Sequence, residues 1–329
     1  METPGTEFDR LSIEAMKTPH REVLIRAVAN VLSTSIATET HTQIVDGLPL
    51  ASVARDRFHS GSICSGHPLL QQHQELCPGV AEEAQRLCSG FDIGINRLND
   101  GLAFFSSVHQ IAVWLYTRDL SRHKDDALGT WRPSEDAGRF YPATYPTTLF
   151  YHPWYHDYAH YPGGVADSVG YWAEARILGG VILFDRRDQE VVSDAEPNAI
   201  YTHPDRSKVI YRICRLLDSQ KDELAAFLLS DATLPDQPCT LPILPAEANR
   251  QRVDPEQAIE TTGIYRDPWE RRLRPLGATD LRLRDVVDTF NYLSIQDYRE
   301  ARRRAERERT QREYTEIYLP SLRNEQQDV

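Results

Sequence analysis

Three histidines recur at four-residue spacing in HPWYHDYAHYP, at His152, His156 and His160, with Asp157 beside the second. A helix would stack these rings on one face, and imidazole with carboxylate suits zinc or iron. His156, Asp157 and His160 are therefore candidate metal ligands. Pro153 and the crowd of tyrosines argue instead for an aromatic loop, in which the histidines are satisfied or exposed. A second group, Asp167, Glu174 and Asp185, flanks GYWAEARILGGVILFD. A buried carboxylate must be paired or protonated, which makes Glu174 a catalytic candidate; an ion pair with Arg176 or Arg186 is the plainer reading. Asp167 and Asp185, with the neighbouring Tyr171 and Trp172, form a candidate substrate-binding set. Asp218, Asp222 and Glu223 open LDSQKDELAAFLLSD. Asp218 and Asp222 lie one helical turn apart, so the pair could act as acid and base or hold a cation. N-capping by Asp218 or Ser219 and helix-dipole stabilisation, about 1 kcal/mol each, account for the same residues without chemistry.

Basic residues gather late in the chain. YRDPWERRLRP places Arg271 and Arg272 near Trp269, and the run from Tyr298 to Tyr314 holds seven arginines, among them Arg302, Arg303 and Arg304, against four glutamates. Arginine with aromatics can grip phosphates and stack on bases. The interleaved glutamates fit a solvated, self-paired helix equally well.

The elements that must position these groups fall into three parts. Residues 1–133 read as helical. Arg21 to Ile36 carries Val23, Leu24, Val28, Val31 and Leu32 on one apolar face, and Gly101 to Leu120 is apolar enough for a central buried helix. Residues 121–147 read as an exposed connection. Residues 134–275 form an α+β core with the candidate pocket. Val181 to Phe184 is a strand buried on both faces, expected beside a strand at Val209 to Cys214, with Ala199 to Pro204 as another strand. Residues 276–329 form a charged C-terminal helix and tail. The expected fold is α+β, with the helical part packed on a small mixed sheet.

A net charge of −12 disfavours non-specific binding to nucleic acid or anionic membrane, unless positive charge is confined to one face. The five cysteines are odd in number and lack a CxxC, which suggests neither a disulfide framework nor a zinc site of the usual spacing. The polar, acidic N-terminus lacks the features of a signal peptide, and no apolar run approaches the ~20 residues of a membrane span, so a cytoplasmic location is expected. GxSxG, GxGxxG after a strand and GxxxxGK[ST] do not occur, which leaves serine-hydrolase, dinucleotide and P-loop readings without support.

GVADSVGYWAEARILGGVILFDR, YTHPDRSKVIYRICRLLDSQKDELAAFLL and IYRDPWERR resemble segments of a large set of filamentous-fungal proteins, over roughly residues 145–272. Within that set the chain is similar to the arginine-containing cyclodipeptide synthases. That resemblance implies an aminoacyl transferase joining arginine to a second amino acid from aminoacyl-tRNAs, without a cofactor. Their acidic DDxxE motif is absent here: DSQKD (Asp218 to Asp222) keeps its acidic ends and KDDALG (Lys124 to Gly129) lacks its glutamate. On this reading Asp218, Asp222 or Glu174 would bind the guanidinium or act as base, and the late arginines would contact tRNA. Two other classes stay open: a metal-dependent small-molecule enzyme using the histidine cluster, and a non-catalytic interaction module.

Overall fold

A computed structural model of the chain describes residues 10–12, 17–57, 64–91, 94–96, 100–134, 145–193, 195–197, 199–205, 210, 212–230, 239–253, 255 and 259–271, together with 296, 299, 300, 303 and 307. The fold is α+β. Helices α1 (Thr18–Leu32), α2 (Ser35–Asp46), α3 (Ala51–Arg57), α4 (Leu69–Gln72), α5 (Val80–Ser89) and α6 (Asp100–Thr117) come first, with a short antiparallel pair formed by β1 (Arg10–Ser12) and β2 (Gly94–Asn96). Helix α7 (Val165–Leu178), strands β3 (Val181–Asp185), β4 (Ile200–His203) and β5 (Ile213–Arg215), and helix α8 (Asp218–Leu229) follow. Strand β6 (Arg252–Val253), helix α9 (Ile259–Thr262) and strand β7 (Ile264–Tyr265) come next, and the later described residues 296, 299, 300, 303 and 307 are helical.

The single helix expected over Arg21 to Ile36 is two. Thr34 breaks it by accepting the Ala37 N–H and capping α2. Of the expected face, Leu24, Val28 and Val31 are buried, whereas Val23 is 46% exposed. At α8 the helix begins on Asp218 itself: the Leu217 N–H is accepted by Gln220 Oε1, so neither Asp218 nor Ser219 is the cap.

The main sheet has the order β6-β5-β4-β3-β7. Its pairings are all antiparallel rather than mixed, because loops and the α8 link return each strand beside its neighbour in the opposite sense. Strand β3 lies between β4 and β7, with Val181 opposite His203 and Asp185 opposite Ile264. Strand β5 pairs with β4, not with β3 as expected. Alternation explains why β3 is apolar throughout. Val181 and Leu183 face a cluster with Tyr155, Tyr171, Ile213 and Ile264, while Ile182 joins the main core on the other side.

That main core draws on α1, α2, α5, α6, α7, β3 and α8. Helix α7 is buried nearly all round, with Trp172 in the helical core and Tyr171 in the sheet-side cluster. Gly179 ends it at φ 101°, and a Cβ there would lie 2.1 Å from the Ile243 carbonyl oxygen. Only glycine permits the tight α7–β3 turn that hangs Glu174 over the sheet.

Candidate functional site

Glu174 is fully buried at the centre of a charged network. Arg266 Nη1 donates to both of its oxygens at 2.8 Å, and the Ile182 N–H donates to Oε1 at 2.8 Å. His109 of α6 reaches between two carboxylates, with Nε2 3.3 Å from Asp167 Oδ1 and Nδ1 3.5 Å from Glu174 Oε2. Gly170 makes that approach possible, since a Cβ there would lie 2.6 Å from the His109 ring. Burial alone would raise the pKa of Glu174, but the Arg266 charge and the neighbouring His109 hold it below the ordinary carboxylate value. For His109, burial is likewise outweighed: Asp167 and Glu174 raise its pKa. Arg266 also binds Asp267 and lies over the Tyr171 ring, and Glu270 accepts the Arg266 N–H. Within this network Glu174 and Asp167 lie against Arg266 and His109, with Asp267 and Glu270 at its edge.

A cavity of about 550 Å³ opens elsewhere, between the end of α2, the segment after α6, residues 145–149 and the start of α7. Its described wall is rich in donors: Lys124, Arg132, His67, Tyr116 and Tyr145. His67 Nδ1 accepts the Leu69 N–H, and burial followed by the Arg132 charge lowers its pKa to about 4, so it is neutral with its proton on Nε2. Burial raises the pKa of both tyrosines and keeps them protonated. Asp119 is the one carboxylate among the described lining residues. It adopts φ 55°, a left-handed conformation uncommon outside glycine, and pairs with Lys124. Of the connection expected to be exposed over 121–147, residues 121–134 are indeed mostly exposed or half-buried, yet they also build part of this wall and bury His123.

Behind that wall lies a third arrangement. Asp46 Oδ2 is 2.9 Å from His73 Nε2 and 3.7 Å from His123 Nε2, and the two ring nitrogens are 3.2 Å apart. Cys77 Sγ is 3.5 Å from His123 Nε2. Among the described residues this Asp46, His73 and His123 group is where candidate metal-binding atoms converge. Sequence reasoning missed it. His73 and Cys77 are close in sequence, but Asp46 and His123 lie 27 and 50 residues from His73.

The residues singled out from sequence are not brought to one place. His152 is buried, with Nε2 facing the His203 carbonyl and Nδ1 accepting the Trp154 N–H. His160, on an exposed 3-10 turn, has Nε2 3.8 Å from Asp157 Oδ2, and His156 packs edge-on against Tyr151. Asp218 is exposed and paired with Lys221, Asp222 is exposed, and Glu174 lies in the interior. The expected Glu174 partners are engaged elsewhere: Arg176 binds Glu39, and Arg186 donates to the Arg266 carbonyl. Asp185 is buried and accepts from Arg187 and the Glu196 N–H. Asp167 binds His109 and the Gly163 N–H, Tyr171 packs on Tyr155 and Tyr161, and Trp172 packs on Phe150. Arg271, expected on an exposed basic face, is buried and donates to the Ile264 carbonyl and to Glu270, because β7 pulls it inside. Arg303 is exposed on a helix; Arg272, Arg302 and Arg304 lie outside the described residues.

No helix among the described residues is long and apolar enough to cross a membrane. Comparison with protein-family models, curated proteins and solved structures gave no match.

Proposed function

We propose that the cavity is the substrate site of an enzyme acting on a small anionic molecule. The observation that carries this reading is the imbalance of its wall: two cations, two protonated tyrosines and a donating imidazole face one carboxylate. Gly163, Val165 and Ala166 add the start of α7, the positive end of its dipole. A few convergent polar groups in a concave site are what fix a ligand's orientation. Such a donor set favours carboxylate or phosphate oxygens. Asp119, which pairs with Lys124 from a sparsely populated backbone conformation, is the one described carboxylate of the wall that could take or return a proton.

The test is a thermal-shift screen of the full chain against dicarboxylates, phosphorylated sugars, and neutral and cationic analogues. A ligand at about 100 times its Kd stabilises by about 2.7 kcal/mol, a shift of a few degrees. An anionic compound should give that shift in the wild type and lose it in Arg132→Ala. Stabilisation by neutral or cationic compounds alone, or a shift undiminished in Arg132→Ala, would refute the reading.

The aminoacyl-tRNA reading implied by the resemblance is the second proposal. Arg299, Arg303 and Arg307 support it, being exposed at four-residue spacing, as a phosphate-contacting helix face requires. Heterologous expression with mass-spectrometric profiling should then yield an arginine-containing cyclic dipeptide, and Arg303→Glu should reduce it. Unchanged metabolite profiles on expression of the wild type would exclude it.

A further inference from the structure

We infer that Asp46, His73, Cys77 and His123 are the four ligands of a structural zinc ion. His73 Nδ1 is 3.2 Å from the Pro49 carbonyl, which can only accept, so Nδ1 carries a proton. His123 Nδ1 is 2.6 Å from Asp126 Oδ2, and Asp126 Oδ1 accepts the Leu128 and Gly129 N–H groups, so that Nδ1 is a donor too. In the neutral rings both Nε2 atoms are then lone pairs. They face each other and Asp46 Oδ2 across 2.9 to 3.7 Å. Three acceptors on one point need a positive charge between them, either a proton on one ring or a metal ion. Asp46 Oδ1 is buried without a hydrogen-bond partner among the described residues, and the Cys77 thiol lies against the same carboxylate, so Asp46 faces more than His73.

The spacings fit zinc. Tetrahedral bonds of ~2.0–2.1 Å to nitrogen and oxygen place ligand atoms about 3.3 Å apart, and a ~2.3 Å bond to sulfur places sulfur about 3.6 Å from nitrogen. The nitrogen pair at 3.2 Å and the sulfur–nitrogen distance of 3.5 Å lie on those edges, the carboxylate–nitrogen distances of 2.9 and 3.7 Å fall on either side of them, and Cys77 Sγ, which lies beside His123, has to swing towards the Asp46–His73–His123 group to complete the tetrahedron. One carboxylate and one thiolate balance the dication, with the Cys77 proton released to solvent on binding. Asp126 and the Pro49 carbonyl hold the imidazoles as outer partners of zinc-bound histidines do. Four protein ligands leave no open position, which assigns the ion a structural role. It would tie the last residue of α2 to the segment between α4 and α5 and to the loop after α6.

Metal analysis and cobalt spectroscopy of the full-length protein test this independently of any cavity ligand. After equilibration with zinc and removal of excess, close to one zinc per chain is expected. Cobalt(II) should give tetrahedral d–d bands and a thiolate-to-cobalt charge-transfer band. Cys77→Ser should lose the charge-transfer band, Cys88→Ser should keep it, and Asp126→Asn should weaken zinc binding by about 10- to 100-fold. Folded wild-type protein that takes up no zinc, or a cobalt spectrum without a thiolate band, overturns the assignment even where a variant fails to fold. A thiolate band that persists in Cys77→Ser overturns it too.

Discussion

Arg266→Met removes the main counter-charge of a carboxylate that has no access to water. Arg266 Nη1 lies 2.8 Å from both Glu174 oxygens. At that distance, with an effective dielectric of 20, the attraction is about 6 kcal/mol. The measured loss should be smaller, about 3–5 kcal/mol, because Glu174 keeps the Ile182 N–H and can relax by taking up a proton. Against a typical total stability of about 5–15 kcal/mol that is a large fraction. Glu174→Leu combined with Arg266→Met removes both charges; it leaves the Ile182 N–H without its acceptor, a cost of about 1–3 kcal/mol, and takes one partner each from Asp267 and His109. The double variant should therefore be more stable than Arg266→Met alone. Urea unfolding at pH 7, compared at a shared m-value, reads both differences. An Arg266→Met protein within about 1 kcal/mol of wild type would refute the reasoning, as would strictly additive losses in the double variant.

His109→Gln should show a pH signature. The folded-state pKa of His109 is raised, so its contribution is complete below the unfolded value of about 6.5 and is lost as pH rises through the folded value. The stability gap between wild type and variant, followed by urea midpoints, should be widest near pH 6 and narrow towards pH 9; a gap that widens with pH would contradict the geometry. Asn30→Ala should lower stability by about 1–3 kcal/mol, because Asn30 Nδ2 donates to the Phe227, Leu228 and Ser230 carbonyls at 3.0–3.1 Å and so closes the end of α8 on α1. Hydrogen exchange should quicken at the end of α8; unchanged exchange there would count against that role.

What could be read from sequence was local. Val181 to Phe184 announced a strand buried on both faces because its apolar run is unbroken, and the apolar stretch before Leu120 announced α6. Glu174 could be named as a carboxylate in need of a partner, since burial forces that need. Its partner could not be named: Arg266 is 92 residues away, and the nearer arginines were the only ones that spacing could nominate. The same limit hid Asp46 and His123, which join His73 only after α2 and the loop behind α6 have packed. The histidine spacing at His152 to His160 misdirected attention because periodicity means a shared face only on a helix, and Tyr158–His160 is a single 3-10 turn. Arg271 looked exposed from composition alone, yet two residues of pairing in β7 were enough to draw it inward.

The distance in sequence between Glu174 and Arg266 also sets an order of events during synthesis. At about 5–20 residues per second, a ribosome needs several seconds to add the 92 residues that separate them. Throughout that interval α7 and β3 exist without the guanidinium, and the Glu174 side chain must stay hydrated or protonated. The helical half can begin to gather, but an ionised Glu174 gains its counter-charge only when β7 arrives beside β3. A nascent chain halted before Arg266 would therefore expose the underside of α7, a surface that folding chaperones are suited to shield until translation has passed that point.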